Sequence, residues 1–490
     1  MQLSGLMCRR ARRKSVLLPL SLLLLAAAAP CQTLKTLVRF DGSNSARPLA
    51  VTQGIDGNFY GMTDGNHRPR YPGIVFRVTS GGSFTSLDTL DRDPPSSNAG
   101  LVQATDGNLY GAALNGAYGS GQVFRLTPDG TLTTIYSFCP QAPNNCPDGS
   151  DASTLVQADD GYLYGTTSAG GTGGNNGTIF KMTTGGVLTT LHSFDGTDGS
   201  YPLGPLTQAS DGNFYGLTSE GGANKDPTNG CGIAYGCGTV FKITPQGTFT
   251  SLYSFCSQPD CADGETPWVS SGLVQASDGN LYGTTVNGGA NGGGVVFRIT
   301  AEGALTTIYS FSESCTEGCH PWAGLVQATN GSLYGTATDG GPHQRGTIFR
   351  ITLDGKLRRV YSFCSNSGCS DGGGPDAPLI QATDGRFYGA TYGSSGTHLG
   401  TVFRLSTGLK PFVTPLIPSG SVGSSVIILG NNLAGATAVT FNGARAPSFT
   451  VNATGSAITT TVPTGATTGN IQVTLSTGTL TSNVPFRVSP

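Results

Sequence analysis

Charged residues make up only 11% of this 490-residue sequence. No strongly basic face can be built from so few, so nucleic acid is excluded as an expected partner. Helical patterning is missing: no long segment repeats its apolar residues every 3.6 positions. Beyond the first 29 residues no apolar run is long enough to span a bilayer. Tryptophan occurs twice, at Trp268 and Trp322, and the five histidines (His67, His192, His320, His343 and His398) lie far apart without a recurring acid or nucleophile. There is no His-Glu-x-x-His, which would set two zinc ligands one helical turn apart, and no Gly-x-x-x-x-Gly-Lys-Ser/Thr phosphate loop. What is abundant is glycine, 75 residues, punctuating short runs of Val, Thr, Ile, Phe and Tyr. That pattern indicates an all-β chain.

The N-terminus has the layout of a secretory signal peptide over residues 1–31. Arg9, Arg10, Arg12, Arg13 and Lys14 precede an apolar stretch from Val16 to Leu25, followed by Ala26 to Ala29. Cleavage after Ala28 or after Cys31 fits small-residue preferences, and Cys31 is a candidate for lipidation. Without this segment the balance is 22 basic to 29 acidic residues. The mature protein is expected outside the cytoplasm: secreted, periplasmic or at the cell surface.

Cysteine usage agrees with export. Ten cysteines form five close pairs: Cys139/Cys146, Cys231/Cys237, Cys256/Cys261, Cys315/Cys319 and Cys364/Cys369. Local pairs in an exported chain read as disulfides that staple loops. Zinc is the rival reading, but paired Cys-x-x-Cys knuckles are missing. No metal or other cofactor is expected.

One stretch recurs seven times. "LVQATDGNLYG" begins at Leu101, with copies from Val51, Leu155, Leu206, Leu273, Leu325 and Leu379. Each unit reads as four short antiparallel strands: "LVQA", "NLYGAA", "GQVFRLT" and "TLTTIYSF" in the second. Such a period indicates a propeller. A lone strand, "TLKTLVRF", precedes the first unit, and the seventh unit lacks a clear fourth strand. The expected fold is therefore a seven-bladed β-propeller over residues 32–408, with four-stranded blades and the N-terminal strand closing the last blade.

These units resemble the Gloeo/Verruco (GloVer) tandem repeat of exported bacterial proteins, often labelled choice-of-anchor proteins. The resemblance covers about residues 33–408 and implies no activity and no catalytic residues. Residues 411–490 are free of cysteine and rich in Thr, Ser and Val. "PLIPSGSVGSSVIILGNNL", "AVTFNG" and "VPFRVSP" resemble the IPT/TIG domain. That resemblance implies an immunoglobulin-like β-sandwich acting as a spacer or binding module. Alternating strands with turn signals every 8–12 residues support a sandwich independently.

The repeated residues read as scaffold. Asp-Gly between two strands fits a type I′ hairpin turn, both of whose central residues need positive φ. Asn330-Gly331 serves equally in the sixth unit, which argues against a metal-binding carboxylate. The Tyr-Gly tyrosines fit packing between blades, with ligand stacking as the alternative. Gln53, Gln103, Gln157, Gln208, Gln275, Gln327 and Gln381 would ring a central channel. They are either amides bonded to a neighbouring blade or a polar ring holding water or a small ligand.

Tight turns share one face, and the long loops with all five cysteine pairs share the other. Binding usually resides on such variable loops. Trp268 and Trp322 fall there, each after a proline, as loop anchors or as a stacking platform for sugar rings or peptide aromatics. Candidate acids on that face are Asp195, Asp198, Glu220, Asp226, Asp263, Glu265, Glu313, Glu317, Asp371 and Asp376, with no pairing evident. The expectation is a non-enzymatic binding or surface-interaction protein, a monomer, with a glycan or protein ligand. The alternative is a secreted carbohydrate-active enzyme, a glycoside hydrolase or polysaccharide lyase, with its site on the same face.

Overall fold

The computed structural model describes residues 32–64, 71–90, 100–113, 117–140, 146–224, 236–268, 272–393 and 399–489. The expected signal segment, residues 1–31, lies outside them. Among the described residues there is no α-helix, only strands and three short 3-10 turns. None of these helical turns is long and apolar enough to cross a membrane.

Seven four-stranded antiparallel sheets follow one another between residues 33 and 406. In the first sheet the strands run Pro48–Gln53, Phe59–Thr63, Gly73–Val78 and Phe84–Leu90, each hydrogen-bonded to the next. Five more sheets repeat that order, beginning at Val102, Ser150, Thr207, Val274 and Val326. The seventh takes three strands from its own repeat, Ile380–Gln381, Phe387–Thr391 and Thr401–Ser406. Its fourth is Thr33–Arg39 from the beginning of the chain, antiparallel to Thr401–Ser406.

Second strands are buried almost throughout, while fourth strands are mostly half-buried or exposed, as half-covered strands are. The core therefore lies between consecutive sheets. Tyr164, Ile179 and Phe194 of the third sheet interlock with Leu206, Phe214 and Phe241 of the fourth. The last and first sheets meet in the same way, through Val38, Tyr388 and Val402 against Val51, Phe59 and Phe76.

The Asp-Gly turns differ from the type I′ form expected of them. Only the glycine has positive φ, 89° at Gly107 and 83° at Gly161. Gly107 N–H donates to the Ala104 carbonyl and Ala104 N–H to the Asn108 carbonyl. This is a three-residue loop ended by a left-handed glycine, so aspartate needs no unusual backbone. Aspartate earns its place through its side chain, which accepts from the amide two residues on, as in Asp106 with Asn108 N–H at 3.0 Å.

Residues 414–489 form two further four-stranded sheets and a short parallel pair, Ser419–Ser421 with Arg487–Ser489. One core, including Ile428, Val439, Phe441, Ile458, Ile471, Val473 and Phe486, is shared by the two sheets. This C-terminal unit sits on the tight-turn face of the seven sheets. Asn452 Nδ2 and Ser456 Oγ donate to the Ile55 carbonyl at 2.7 and 2.6 Å. Arg487 donates to the carbonyls of Ala209 and Ser210, and Ser419 Oγ to Asp159 Oδ2.

Candidate functional site

The seven repeated glutamines form a cycle of side-chain-to-backbone hydrogen bonds. The backbone N–H of Ile55 donates to Oε1 of Gln103, that of Thr105 to Gln157, and that of Asp159 to Gln208. Ser210 reaches Gln275, Ser277 reaches Gln327, and Thr329 reaches Gln381. Thr383 N–H closes the cycle on Gln53 at 3.0 Å. Most of the amide nitrogens turn back onto their own sheet's turn, as Gln157 Nε2 does to the Gly161 carbonyl at 3.1 Å. The glutamines are thus joints between neighbours, each saturating a turn amide that sheet pairing leaves unpaired.

On the opposite face, disulfides close Cys139–Cys146, Cys256–Cys261, Cys315–Cys319 and Cys364–Cys369. Cys231 lies outside the described residues. The sulfurs of Cys237, Cys256 and Cys261 approach within 4.8 Å of one another, but all three are disulfide-bonded and cannot act as thiolate ligands.

Several loop acids on this face are fully used by the scaffold. Asp263 is completely buried and accepts from the Tyr253 phenol at 2.7 Å and the Ser257 amide at 3.0 Å. Asp371 does the same with Tyr361 and Ser365. Asp148, which the sequence reading missed, does so with Tyr136. His192 and Asp198, 2.7 Å apart, occupy the equivalent place in the third sheet, with the imidazole stacked on Phe249. That histidine–carboxylate pair is therefore the third repeat's version of a loop anchor. Asp195 is bonded within its own turn through Thr197, and Glu317 faces Arg359 at 3.6 Å. Glu313 is exposed, while Glu220 and Glu265 are half-buried and burial raises their proton affinity. His320 lies 3.1 Å from Asp339, and His343 is exposed. Asp226, His67 and His398 lie outside the described residues.

One position on this face repeats a costly backbone. Arg47, Asp151, Tyr201, Thr266 and His320, each leading into an inner strand, have φ of 51–58°. Left-handed backbone at non-glycine residues costs of order 1–3 kcal/mol and persists only where neighbours enforce it. Hydrogen bonds do so here. Arg47 N–H donates to the Leu399 carbonyl of the preceding sheet, and the Arg47 carbonyl accepts from Asp64 N–H. Thr266 and His320 are held by the same pair of bonds.

A proline follows four of these clamps, and also Gly374 at the matching place in the seventh repeat; in three cases a polar or aromatic residue comes next: Pro267-Trp268, Pro321-Trp322 and Pro375-Asp376. Each of these three prolines packs on the glycine that opens the third strand of the sheet before it, Gly238, Gly294 and Gly346. Trp268 and Trp322 are half-buried, and their rings meet at 5.2 Å and 52°. The structure brings these two candidates together, while Asp376 occupies the next position round the ring.

Asp376 belongs to a charged seam between the seventh and first sheets. Arg47 lies 3.8 Å from Asp64 and 4.3 Å above the Tyr392 ring. Burial raises the Asp64 carboxyl to about 8; the arginine opposes the shift and the charge of Asp376 adds to it. Burial likewise lifts Asp376 to about 7. Arg47, Asp64 and Tyr392 escaped the sequence reading. Asp64 follows the second strand, where other copies carry Ser168, Ser219, Val286 and Thr338, and this comparison of copies was the available signal.

On the tight-turn face, two clefts of about 650 and 670 Å³ lie between the seven sheets and the C-terminal unit. Hydroxyl and amide side chains, including Thr329, Asn470, Ser421 and Ser424, predominate in their walls.

These features define an all-β protein of tandem four-stranded sheets with a stapled loop face. Residues 47–269 and 227–444 match the Gloeobacter/Verrucomicrobia repeat, and the chain belongs to that family. No curated protein matches it. Among solved structures it is similar to a fungal alcohol oxidase in complex with copper, at 11% identity and a TM-score of 0.50, covering 94% of this chain and all of that one. A putative gluconolactonase gives 13% identity and a TM-score of 0.38 over 78% of this chain and 93% of that one. The extracellular domain of a putative hybrid two-component system from B. thetaiotaomicron gives 13% and 0.48, covering 94% of this chain and 60% of that one. The first of these likenesses concerns the fold alone.

Proposed function

We propose that this protein is an exported, non-enzymatic glycan-binding protein. In this reading the seven sheets are the blades of a closed propeller, and the C-terminal unit is an immunoglobulin-like sandwich of the IPT/TIG kind. The sandwich occupies the tight-turn face, and the disulfide-stapled face takes the ligand. The observation that carries the reading is the Trp268–Trp322 pair, half-buried on a rigid loop face. Indole faces of this kind stack on the apolar faces of sugar rings, and bracing loops beforehand lowers the entropy lost on binding. Four closed disulfides support an oxidising compartment.

The test is a panel of soluble polysaccharides and oligosaccharides scored for retention and for product release. Retention that falls at least tenfold in Trp268→Ala and Trp322→Ala supports the reading. Retention unaffected by either substitution removes it. A second reading, a glycoside-cleaving enzyme, is favoured by Asp64 and Asp376, whose raised proton affinity suits a general acid. Release of shortened products, lost in Asp376→Asn, would establish that one instead.

A further inference from the structure

Asp64 is a buried carboxyl short of hydrogen-bond donors. It is 4% exposed, its Oδ1 has no hydrogen-bond partner, and its Oδ2 is 3.8 Å from Arg47, beyond hydrogen-bonding distance. Asp376, which acts on it electrostatically, is 9% exposed. Buried carboxylates are ordinarily matched by donors or by opposite charge, because desolvation is otherwise uncompensated. When both are ionised, Asp64 and Asp376 set two negative charges beside the Arg47 guanidinium, and Asp64 Oδ1 is still without a donor.

Nothing in the scaffold calls for these acids. Where Asp64 stands, other repeats carry Ser168, Ser219, Val286 and Thr338. Where Asp376 stands, the two preceding repeats carry Trp268 and Trp322. The acids thus meet at the seam between the seventh and first sheets, and Asp376 stands one repeat on from Trp322.

We propose that the seam between the seventh and first sheets is a subsite for a protonated amino group on a glycan, received by Asp64 and Asp376. An ammonium supplies positive charge and an N–H donor for the unpartnered Asp64 Oδ1. A divalent cation fits less well. Calcium takes six to eight oxygens, and the Arg47 guanidinium already stands 3.8 Å from Asp64, fixed over Tyr392. Among the described residues Arg47 and Tyr392 also border these acids, and Arg345 packs beside Gly373 and Gly374 of the loop that carries Asp376. Since burial leaves the carboxyls partly protonated near neutral pH, the amine displaces a proton as it binds. This subsite rests on the stapled face being the glycan-binding face.

Calorimetric titration of the full chain with a glucosamine tetramer and its N-acetylated counterpart tests it. The free-amine tetramer should bind at least tenfold more tightly. Asp64→Asn and Asp376→Asn should each bring it to the level of the acetylated one, with melting temperature kept or raised. Equal affinity for both tetramers would overturn the proposal. So would calcium binding that depends on Asp64, or a rise in melting temperature without any change in affinity. Neutral glycans held through Trp322 without preference for the amine would sink this inference alone. Loss of all glycan binding would sink the proposed function with it.

Discussion

The phenol of Tyr164 donates a 2.7 Å hydrogen bond to Oδ2 of Asp160, four residues earlier across the tight turn. The same bond joins Tyr60 to Asp56, Tyr110 to Asp106, Tyr215 to Asp211, Tyr282 to Asp278 and Tyr388 to Asp384. In the sixth repeat Asn330 Nδ2 donates to the Tyr334 hydroxyl at 3.2 Å instead. The turn and the tyrosine are one device: the aspartate fixes the turn and also satisfies a phenol whose ring is buried. Tyr164→Phe should cost about 0.5–1.5 kcal/mol, the net worth of one hydrogen bond, because water can still solvate the exposed Asp160 carboxylate. Asp160→Asn, which copies the sixth repeat, should cost less. Urea midpoints of the two variants check this, and equal losses would show that the phenol bond is immaterial.

Glycine after that tyrosine is required by the next strand. A Cβ on Gly165 would lie 2.7 Å from Phe180 Cζ and 2.8 Å from Leu155 Cδ2, and Gly111 meets the same obstruction from Phe124 and Leu101. Gly165→Ala is expected to cost about 1–3 kcal/mol by overpacking. Adding Phe180→Leu should recover part of that loss; a double variant no more stable than the single would mean that the backbone, not the ring, sets the limit.

The charged seam predicts an unusual pH response. Asp64 and Asp376 have folded pKa values near 8 and 7 against an ordinary 3.8. Between those limits the folded protein binds more protons than the unfolded chain, so these groups lower stability as pH rises from about 4 to 8. Asp106, Asp211 and Asp278 act oppositely. Burial pushes them up, but their hydrogen bonds outweigh it and hold them below the ordinary value, so their support is lost only below about pH 4. Melting curves should show Asp64→Asn gaining most over wild type near pH 8 and almost nothing near pH 4. A gain independent of pH would refute the assignment.

Docking of the C-terminal unit depends on few groups. Arg487 donates to the Ala209 and Ser210 carbonyls at 3.2 and 2.6 Å and lies 3.7 Å from Asp159. Asp159 stands where five other turns carry Thr or Ser. Arg487→Ala should uncouple the two parts, seen as two calorimetric transitions and a larger radius in small-angle scattering. Asp159→Ser should do so more weakly, because the carbonyl contacts remain. A single unaltered transition in both variants would place the docking energy elsewhere.

Much of the scaffold was legible because its signals are periodic. Short β-rich runs bounded by Gly, repeated at near-constant intervals, gave the four-stranded sheets. The unpaired "TLKTLVRF" pointed to the strand now seen beside Thr401–Ser406. The link between Asp160 and Tyr164 was not legible, since a side-chain bond across a turn leaves no trace in hydrophobic patterning. The Arg47–Tyr392 contact joins residues from opposite ends of the repeats, and only three-dimensional closure makes them neighbours. Histidines and acids drew attention as chemistry, yet His192, Asp263 and Asp371 serve as loop anchors.

Pairing of Thr33–Arg39 with Thr401–Ser406 joins the first strand of the seven sheets to their last. Most other contacts form within a repeat or with the next one, so they can accumulate while the chain is incomplete. This one requires more than 360 residues of intervening chain to be in place. It closes the longest loop of any strand pairing among the described residues, and long-range pairings of this sort slow folding. Folding of the seven sheets should therefore finish with a late step that no single repeat can perform alone. Until then the outer edge of Thr401–Ser406 stays unpaired, open to strands of other chains.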